Sequence, residues 1–235
     1  MKIVLYLLVL AFLVGCNSEI SRTQDPVERA NAAVNQSYLN GNSAIDTRKV
    51  ETPAVPSLDL REFPNMFIEN GTFTGMIVWG TNYKFEGSKD AGTRGPLAIL
   101  VGTSILKGIE KGDPGPNQRI KLRMGTADKY ILQGNFSQFN IIAIDHPCYN
   151  NVTAKLMNIE HKSCYDEAAK RVPSNAALIR LYYYEGKVHM VVISEDADML
   201  AAAGTVLENY PQYPLSGIEV FVTKNSEGEI RISSG

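Results

Sequence analysis

The sequence lacks an excess of charge of either sign: its 235 residues carry a formal net charge of −2, and its lysines and arginines form no basic stripe. Nucleic acid is therefore not expected as a partner, because proteins bind it through clustered positive charge. Apolar residues make up 44% of the chain and charged residues 20%, which is the balance of an ordinary globular protein. The length suits one large domain or two small ones, and no internal repeat is present.

Phosphate-binding loop motifs are also missing. The glycine-rich segment Tyr83–Gly95 follows a predicted strand, but its glycines lack Walker spacing and no Gly-Lys-Ser/Thr sequence ends it. The first predicted turn from a strand to a helix has no Gly-x-Gly-x-x-Gly pattern either. These absences argue against a bound nucleotide, and the sequence predicts no cofactor.

Long apolar runs are absent except at the amino terminus, where Ile3–Val14 follows a single lysine. This run is too short to span a bilayer comfortably and is typical of an export signal. It leads into Gly15-Cys16 and so resembles a lipoprotein signal, in which the cysteine thiol is lipidated and becomes the new amino terminus. We therefore predict a signal peptide over residues 1–16, with Cys16 anchored at the cell surface, on the outer face of the cytoplasmic membrane. A plain secretory signal or a short membrane anchor is the alternative.

Cysteine is scarce, and only Cys148 and Cys164 accompany Cys16. In an exported chain these two are predicted to form a disulfide, which for so short a loop contributes on the order of 3 kcal/mol. The alternatives are a nucleophilic thiol with His146 as its base, and a metal site that adds His161 to these residues. Neighbouring residues on a chain rarely have catalytic geometry, and the metal-ligand spacing is irregular. Neither catalysis nor a metal is predicted.

The chain divides into three regions after the signal. Residues 17–57 are rich in Ser, Thr, Asn, Gln and Pro and lack apolar periodicity, so they predict a polar tether, with an arm packed on the domain as the alternative. A domain is predicted over residues 58–223, and a polar, frayed tail over residues 224–235. Strands and helices alternate in this single domain. They predict an α/β fold, with a mixed β-sheet and flanking helices in a Rossmann-like layered sandwich.

The central stretch of the domain changes from a strand pattern to a helix pattern. Phe139–Ile144 is apolar and rich in β-branched residues, as in a strand buried on both faces. A turn at Asp145–Pro147 ends the strand, and Asn150 or Asn151 caps the following helix. In open α/β sheets, sites usually lie at the carboxyl ends of strands. The candidate ligand turn therefore consists of Asp145, His146 and Asn150.

The other elements follow from periodicity and turn residues. Asn70-Gly71 predicts a turn, and Glu185-Gly186 predicts a hairpin in which His189 faces solvent. Helices are predicted over Pro96–Ile109 and from Asp196 to Asn209, and strands over Phe73–Trp79, Arg119–Met124, Tyr130–Leu132, Ala177–Tyr184, Lys187–Ser194 and Leu215–Thr223.

Four segments resemble archaeal surface-layer (S-layer) and S-layer-like proteins. They are Phe67–Gly80, Asn140–Leu156 with its Pro-Cys-x-Asn turn, the hairpin Leu178–Ile193, and Leu207–Val222. The last is the most specific, because an aromatic pair, Leu-Ser-Gly and a strand directly follow an alanine-rich helix. The resemblance implies an exported surface protein with an α/β domain, related in architecture to bacterial cell-wall-binding repeat type 2 domains. It implies a structural or wall-associated role and no reaction. One departure is that Asp145-His146 replaces the family's usual Gly-Gly.

Two further patterns concern carbohydrate. Sequons for N-glycosylation begin at Asn35, Asn70, Asn135 and Asn151, with chance occurrence as the alternative. A cluster of aromatic residues could bind sugars through their ring faces, and the alternative is that they belong to the core and the sheet surface. These residues are Tyr182, Tyr183, Tyr184, Tyr210, Tyr213 and Phe221.

These patterns predict a lipid-anchored surface protein with a structural or envelope-associating, S-layer-like role and no catalysis. Its expected partners are the membrane, through the lipid anchor, and other S-layer components, envelope components or glycans. One alternative is a surface lipoprotein that binds a small ligand or glycan at the strand-end turn Asp145–Asn151. The other is an enzyme that uses Cys148.

Overall fold

A computed structural model describes residues 56–70, 72–80, 91–111 and 136–235. All of them belong to one compact unit, Ala54–Gly235. Several predictions lie outside the described residues. They are the signal with Cys16, nearly all of the tether, the sequons at Asn35 and Asn135, and the strands Arg119–Met124 and Tyr130–Leu132. No helix within these four described ranges combines the length and the apolar character that crossing a bilayer requires.

The described elements alternate between strands and helices. The strands are β1 (Ile68–Glu69), β2 (Thr72–Phe73), β3 (Gly75–Trp79), β4 (Asn140–Ile144), β5 (Ala177–Tyr184), β6 (Lys187–Ile193), β7 (Glu219–Lys224) and β8 (Ile230–Ser234). The α-helices are α1 (Ala91–Lys111), α2 (Asn151–Leu156), α3 (Cys164–Ala169) and α4 (Ala197–Glu208). Short 3₁₀ helices cover Leu60–Glu62, Asn65–Phe67, His161–Ser163 and Tyr210–Gln212.

Six of these strands form one mixed sheet in the order β3-β4-β6-β5-β7-β8. The neighbours β3, β4 and β6 are parallel, whereas β5, β7 and β8 each pair antiparallel to the strand before them in this order. Strands β1 and β2 form a separate two-stranded hairpin. Together with the flanking helices, this sheet confirms the predicted single α/β domain.

The sheet lies between two helical layers. On β4, Ile142 and Ile144 pack in a cluster with residues of α1 and α4. The alternating residues Ile141 and Ala143 pack in a second cluster with α2 and α3. All five residues of β4 are buried, as the uninterrupted apolar run predicts for a strand covered on both faces.

Turn and cap residues fix several element boundaries at the predicted positions. The hairpin between β5 and β6 turns at Glu185 and Gly186, with φ angles of 49° and 78°. Both central residues of a type I′ turn require positive φ, so glycine suits the second position. Asp196 caps α4 by accepting hydrogen bonds from the amides of Asp198 and Met199. These local interactions explain why the elements could be predicted without tertiary information.

Helix α1 begins earlier than predicted. It starts at Ala91 and contains Pro96, so the end of the segment Tyr83–Gly95 is helical rather than loop. Proline lacks an amide proton and is normally tolerated only in the first helical turn, which placed the predicted start at Pro96. The buried contacts of Arg94, described below, provide tertiary stabilisation for this first part of the helix.

The predicted tail at residues 224–235 is also wrong from Ile230 onward. Asn225 accepts hydrogen bonds from the amides of Glu227 and Glu229 and forms a turn, after which β8 pairs with β7. The alternation of Ile230 and Ile232 with polar residues is the signal for this strand. This pattern is too short and too polar to predict a strand so close to the end of the chain, where residues are often frayed.

His189 is buried rather than solvent-facing. Its Nδ1 accepts a hydrogen bond from the Ile141 amide at 3.3 Å, and its Nε2 lies 3.0 Å from the Tyr184 carbonyl oxygen. The ring is therefore neutral, with the proton on Nε2 donated to Tyr184, and burial lowers the pKa of His189. Strand alternation failed as a predictor because the rings of Phe136 and Tyr184 pack against His189 and cover it.

Candidate functional site

The candidate site lies where β4 and β6 end, at the carboxyl edge of the parallel strands. Asp145 follows β4 with a φ angle of 92°, and its amide donates a hydrogen bond to the Val192 carbonyl at 3.0 Å. Ser194 and Glu195 follow β6. Because neighbouring parallel strands end at the same edge, these segments lie side by side.

Arg94 from α1 reaches into this edge and contacts both of its segments. Its Nη1 lies 2.9 Å from the Asp145 carboxylate and donates a second hydrogen bond, of 3.0 Å, to the Ser194 carbonyl. Its Nη2 donates to the Glu195 carbonyl. The side chain of Arg94 is 5% exposed and that of Asp145 0%. A buried ion pair with such contacts positions α1 on the sheet, because an unpaired charge here would be costly.

The electrostatics of Asp145 reflect this burial. Loss of water raises the pKa of its carboxyl group to about 6, although the positive charge of Arg94 opposes the shift. One carboxylate oxygen, Oδ2, and the Arg94 Nε have no hydrogen-bond partner among the described residues. The pair is thus tightly enclosed but incompletely satisfied.

His146 forms the second layer of the site. Its ring stacks on Tyr165 with 5.0 Å between ring centroids, and its Nδ1 accepts a hydrogen bond from the Cys148 amide at 3.3 Å. Burial, followed by the nearby charge of Arg94, lowers the pKa of His146 to about 4. The imidazole is therefore neutral at physiological pH. It contacts the backbone at Cys148 and does not form a nucleophile–base pair with the sulfur.

Tyr149 connects this layer to the ion pair. Its hydroxyl lies 2.6 Å from the hydroxyl of Tyr165, and its ring lies under the Arg94 guanidinium, 5.3 Å from the centroid. Burial and this hydroxyl contact raise the pKa of Tyr165. Aromatic rings beside a cation and beside the imidazole contribute packing and electrostatic attraction.

The predicted disulfide is present. Cys148 and Cys164 are bonded, with their Cα atoms 5.3 Å apart, and both residues are buried. The bond joins the turn after β4 to the first residue of α3. Cys148 has no thiol in this state, so the arrangement offers no sulfur nucleophile.

Both polar atoms of the Asn150 side chain form hydrogen bonds with the backbone. Its side-chain oxygen accepts hydrogen bonds from the amides of Val152 and Thr153 and thereby caps α2. Its Nδ2 donates to the carbonyls of Val78 and Ile144. The predicted cap at Asn150 or Asn151 is thus Asn150, and it also joins β3 to β4.

The structure brings the predicted ligand turn together but leaves no room there. Asp145, His146 and Asn150 are all nearly or completely buried. The adjacent cavity, beside His146 and Ser194, has a volume of about 10 Å³. This is space for about one water molecule. The turn therefore holds the domain together in this conformation rather than presenting its polar groups to a ligand.

The other predicted site residues are separated. His161 is exposed in its 3₁₀ helix, and the described residues contain no group of three or more His, Cys, Asp or Glu side chains suited to a metal. Asn70 is exposed at the tip of the β1–β2 hairpin, whereas Asn151 is the first residue of α2 and its sequon partner Thr153 is buried. Of these two sequons, only that of Asn70 lies in an open turn.

The aromatic residues predicted as one cluster fall into two groups. Tyr184 packs on Phe136, with 5.4 Å between ring centroids. Tyr210 instead packs on Phe63 at 5.3 Å, in the helical layer formed by α1 and α4. Tyr182 lies with the opposite layer. No single aromatic face results from these side chains.

A larger cavity lies at the opposite, amino edge of the parallel strands. Its volume is about 310 Å³, and Glu69 and Lys187 face each other there with 3.8 Å between their charged atoms. Sequence reasoning missed it because its walls come from separate segments. They include Glu69, Thr72, Thr74, Gln138, Phe139 and Lys187.

The chain matches no protein-family model and no curated protein. The resemblance to S-layer proteins therefore stays a prediction.

Proposed function

We propose that this protein is exported, anchored by a lipid at Cys16, and serves a structural or envelope-associating role like that of S-layer proteins. The observation that carries the proposal is the buried disulfide between Cys148 and Cys164. Disulfides persist in oxidising compartments outside the cytoplasm. A bond built into the core at this position is consistent with folding after export.

The use of the polar groups at the strand edge supports a role without catalysis. Arg94 and Asp145 neutralise each other, Asn150 caps α2, and the neutral His146 accepts a backbone hydrogen bond. Enzyme sites instead hold polar groups ready for a substrate in a cleft of several hundred cubic ångströms, whereas the cavity at this strand edge has a volume of about 10 Å³. The apolar amino-terminal run ending in Gly15-Cys16 and the four S-layer-like segments supply the location and the class of role.

The test is to express the full chain in a host that processes lipoproteins and to compare it with Cys16→Ser. We expect the unaltered chain in the membrane fraction, with an acylated amino-terminal cysteine by mass spectrometry. Cys16→Ser should lose the acyl group and membrane attachment. In both forms Cys148 and Cys164 should resist alkylation until a reductant is added. Unprocessed protein in the cytoplasm with both thiols alkylated would contradict the proposal.

A second candidate function is the binding of a small polar ligand such as a sugar residue in the amino-edge cavity. Its volume of about 310 Å³ and its mixture of an ion pair, hydroxyls, an amide and a phenyl ring favour this candidate. Such a combination suits a polyhydroxylated ligand, which needs donors, acceptors and an apolar face.

Glycan-array binding followed by calorimetry would test this candidate. Lys187→Ala should weaken binding at least tenfold, because it removes a charged donor from the wall of the cavity. Lys170→Ala is the matched control, since Lys170 also pairs with a glutamate but caps the carboxyl end of α3, away from the cavity. Equal effects of the two substitutions, or no saturable binding, would argue against a ligand in this cavity.

A further inference from the structure

Strand β8 forms one edge of the six-stranded sheet. Its hydrogen bonds with β7 show which of its backbone groups remain unpaired. The Asn225 amide donates to the Glu229 carbonyl at 3.0 Å, and the Gly235 amide donates to the Glu219 carbonyl at 3.5 Å. Antiparallel strands alternate between residues bonded to the partner and residues directed away from it. The odd-numbered residues of β8 therefore bond to β7.

The even-numbered residues Ile230, Ile232 and Ser234 consequently direct their amides and carbonyls to the open side. None of the described residues hydrogen-bonds to this side of β8. An edge of this kind is a template for another strand.

Most of the usual features that protect an edge strand are not found in β8. Its pairing with β7 runs one to one from Val220↔Ser234 to Lys224↔Ile230, so it contains no bulge. It contains no proline, and its one charged side chain, the exposed Arg231, forms an ion pair with Glu229 at 2.8 Å, so this single charge is the only such feature that β8 carries. Proteins commonly block exposed edges with bulges, prolines or several charged side chains. Within the described part of the chain, β8 is therefore available for strand addition.

We propose that β8 pairs with β8 of a second copy of this chain, antiparallel and with Ile232 on the two-fold axis. In this register Ile232 faces Ile232, and Ile230 faces Ser234 of the other copy. All three outward-directed residues then exchange hydrogen bonds with outward-directed residues. The two sheets become one continuous sheet related by a two-fold axis, and two-fold symmetry is the commonest symmetry among protein oligomers.

Side-chain chemistry favours this register over the one centred on Arg231, and it pairs Ile232 with Ile232, which a register centred on Ser233 does not. Arg231 lies opposite Ser233 of the other copy, so no like charges face each other. A register centred on Arg231 would place the two arginines directly opposite, which is destabilising. A shift by a single residue would oppose outward-directed groups to inward-directed ones, and the ladder could not form. Ile232 is half-buried on the face that packs with α1 and α4, so pairing extends this apolar cluster across the axis.

The contact is small, since β8 has five residues. The pairing is therefore expected to be weak in solution. Two copies attached to one membrane by lipid would meet at a higher effective concentration, and weak pairing would then become extensive. This membrane enhancement rests on the proposed function, whereas the pairing itself does not.

Cysteine cross-linking tests the register. In the full chain carrying Cys16→Ser, so that no other free thiol is present, Ile232→Cys is compared with Ser233→Cys under mild oxidation by copper phenanthroline. Opposite residues in a hydrogen-bonded antiparallel pair have Cα atoms about 5.5 Å apart, within disulfide range. Residue 233 is diagonal to its own copy, at about 7–8 Å. We expect Ile232→Cys to form covalent dimers at least tenfold faster.

A second pair of variants avoids any effect of altering Ile232. Ile230→Cys and Ser234→Cys should give a cross-linked heterodimer when mixed, and little homodimer when either is oxidised alone. Equal rates at positions 232 and 233, or no dimer in the mixture, would overturn the proposal. This result would also follow if another segment of the same chain, or a different protein, covered the edge.

A third arm separates this proposal from the proposed function. Ile232→Cys is cross-linked in cells with Cys16 retained or replaced by serine. Greater dimer yield with Cys16 retained would support both proposals. Register-specific dimers in solution without this increase would uphold strand pairing and contradict the anchored surface role.

Discussion

Arg94 is the residue on which the polar strand edge depends, because it is the charged partner of Asp145 and the donor to two backbone carbonyls. Arg94→Met would replace the guanidinium with an apolar side chain of similar length. The buried Asp145 carboxylate would then lack its positively charged partner. Removing one partner of a buried ion pair typically costs about 3–5 kcal/mol. We expect a loss of this size in the free energy of unfolding, measured by urea denaturation under oxidising conditions.

Arg180→Met is the matched control. Arg180 pairs with Glu219 on the sheet surface, where its side chain is 39% exposed. Ion pairs with this exposure contribute roughly 0–1 kcal/mol. The double variant Arg94→Met/Asp145→Asn should recover part of the loss, because a neutral amide costs less to bury than a carboxylate. If Arg94→Met were no more destabilising than Arg180→Met, the buried pair would not position α1.

The role of Arg94 could not be predicted from the sequence. Asp145, His146 and Asn150 were found because they follow a strong apolar strand, a local signal. Arg94 lies in a glycine-rich stretch, and its partner is 51 positions away along the chain. The sequence therefore predicts the edge of the sheet that carries the polar residues. It does not predict that Arg94, on a helix distant in sequence, pairs with Asp145 and fills the space that a ligand would need.

At the scale of elements, the crossing of α1 and α4 depends on Gly108. A Cβ atom added there would lie 2.2 Å from the Leu207 carbonyl oxygen, so the two backbones must separate in Gly108→Ala. Such overpacking costs about 1–3 kcal/mol. This outweighs the roughly 0.5–1 kcal/mol that alanine gains over glycine inside a helix. We expect a lower midpoint of thermal unfolding for Gly108→Ala.

Gly204→Ala provides the comparison on α4. The added methyl group would meet Val101 atoms at 3.4 Å, close to an ordinary van der Waals contact. The helix-propensity gain should therefore nearly balance any strain, and the midpoint should change little. A fall in the midpoint for Gly204→Ala as large as for Gly108→Ala would show that the close approach lies elsewhere on the helix pair.

Element boundaries could be predicted from the sequence where residues close to the boundary determine it. The hairpin at Glu185-Gly186, the cap at Asp196 and the buried strand ending at Ile144 all depend on residues within a few positions. The start of α1 and the existence of β8 depend on contacts with distant segments, through Arg94 and through pairing with β7. Periodicity alone assigned the first to a loop and the second to a tail.

At the scale of the whole molecule, stability against acid depends on two buried groups with opposite effects. Burial raises the pKa of Asp145 to about 6, so protonation of Asp145 favours the folded state as the pH falls through this value. Burial lowers the pKa of His146 to about 4, so its contribution is complete above its usual pKa of 6.5 and is lost as the pH falls toward 4. Between about pH 6.5 and 4 the two contributions oppose each other.

Replacing one of the two side chains should expose the effect of the other on the pH dependence of stability. In Asp145→Asn, the free energy of unfolding should fall from pH 6.5 to 4 by about 3 kcal/mol, because His146 must be protonated without compensation. In His146→Asn, whose side-chain oxygen can still accept from the Cys148 amide, it should rise over about pH 6 to 4 by a similar amount. Both changes are taken relative to the double variant Asp145→Asn/His146→Asn, which carries the same acid-dependent loss from the buried, neutral His189. Urea midpoints at pH 7, 6, 5 and 4.5 measure these slopes. Slopes of the same sign in both variants, after subtraction of the slope of the double variant, would mean that the strand edge is hydrated in solution and that the buried carboxylate and imidazole do not govern the acid stability of the domain.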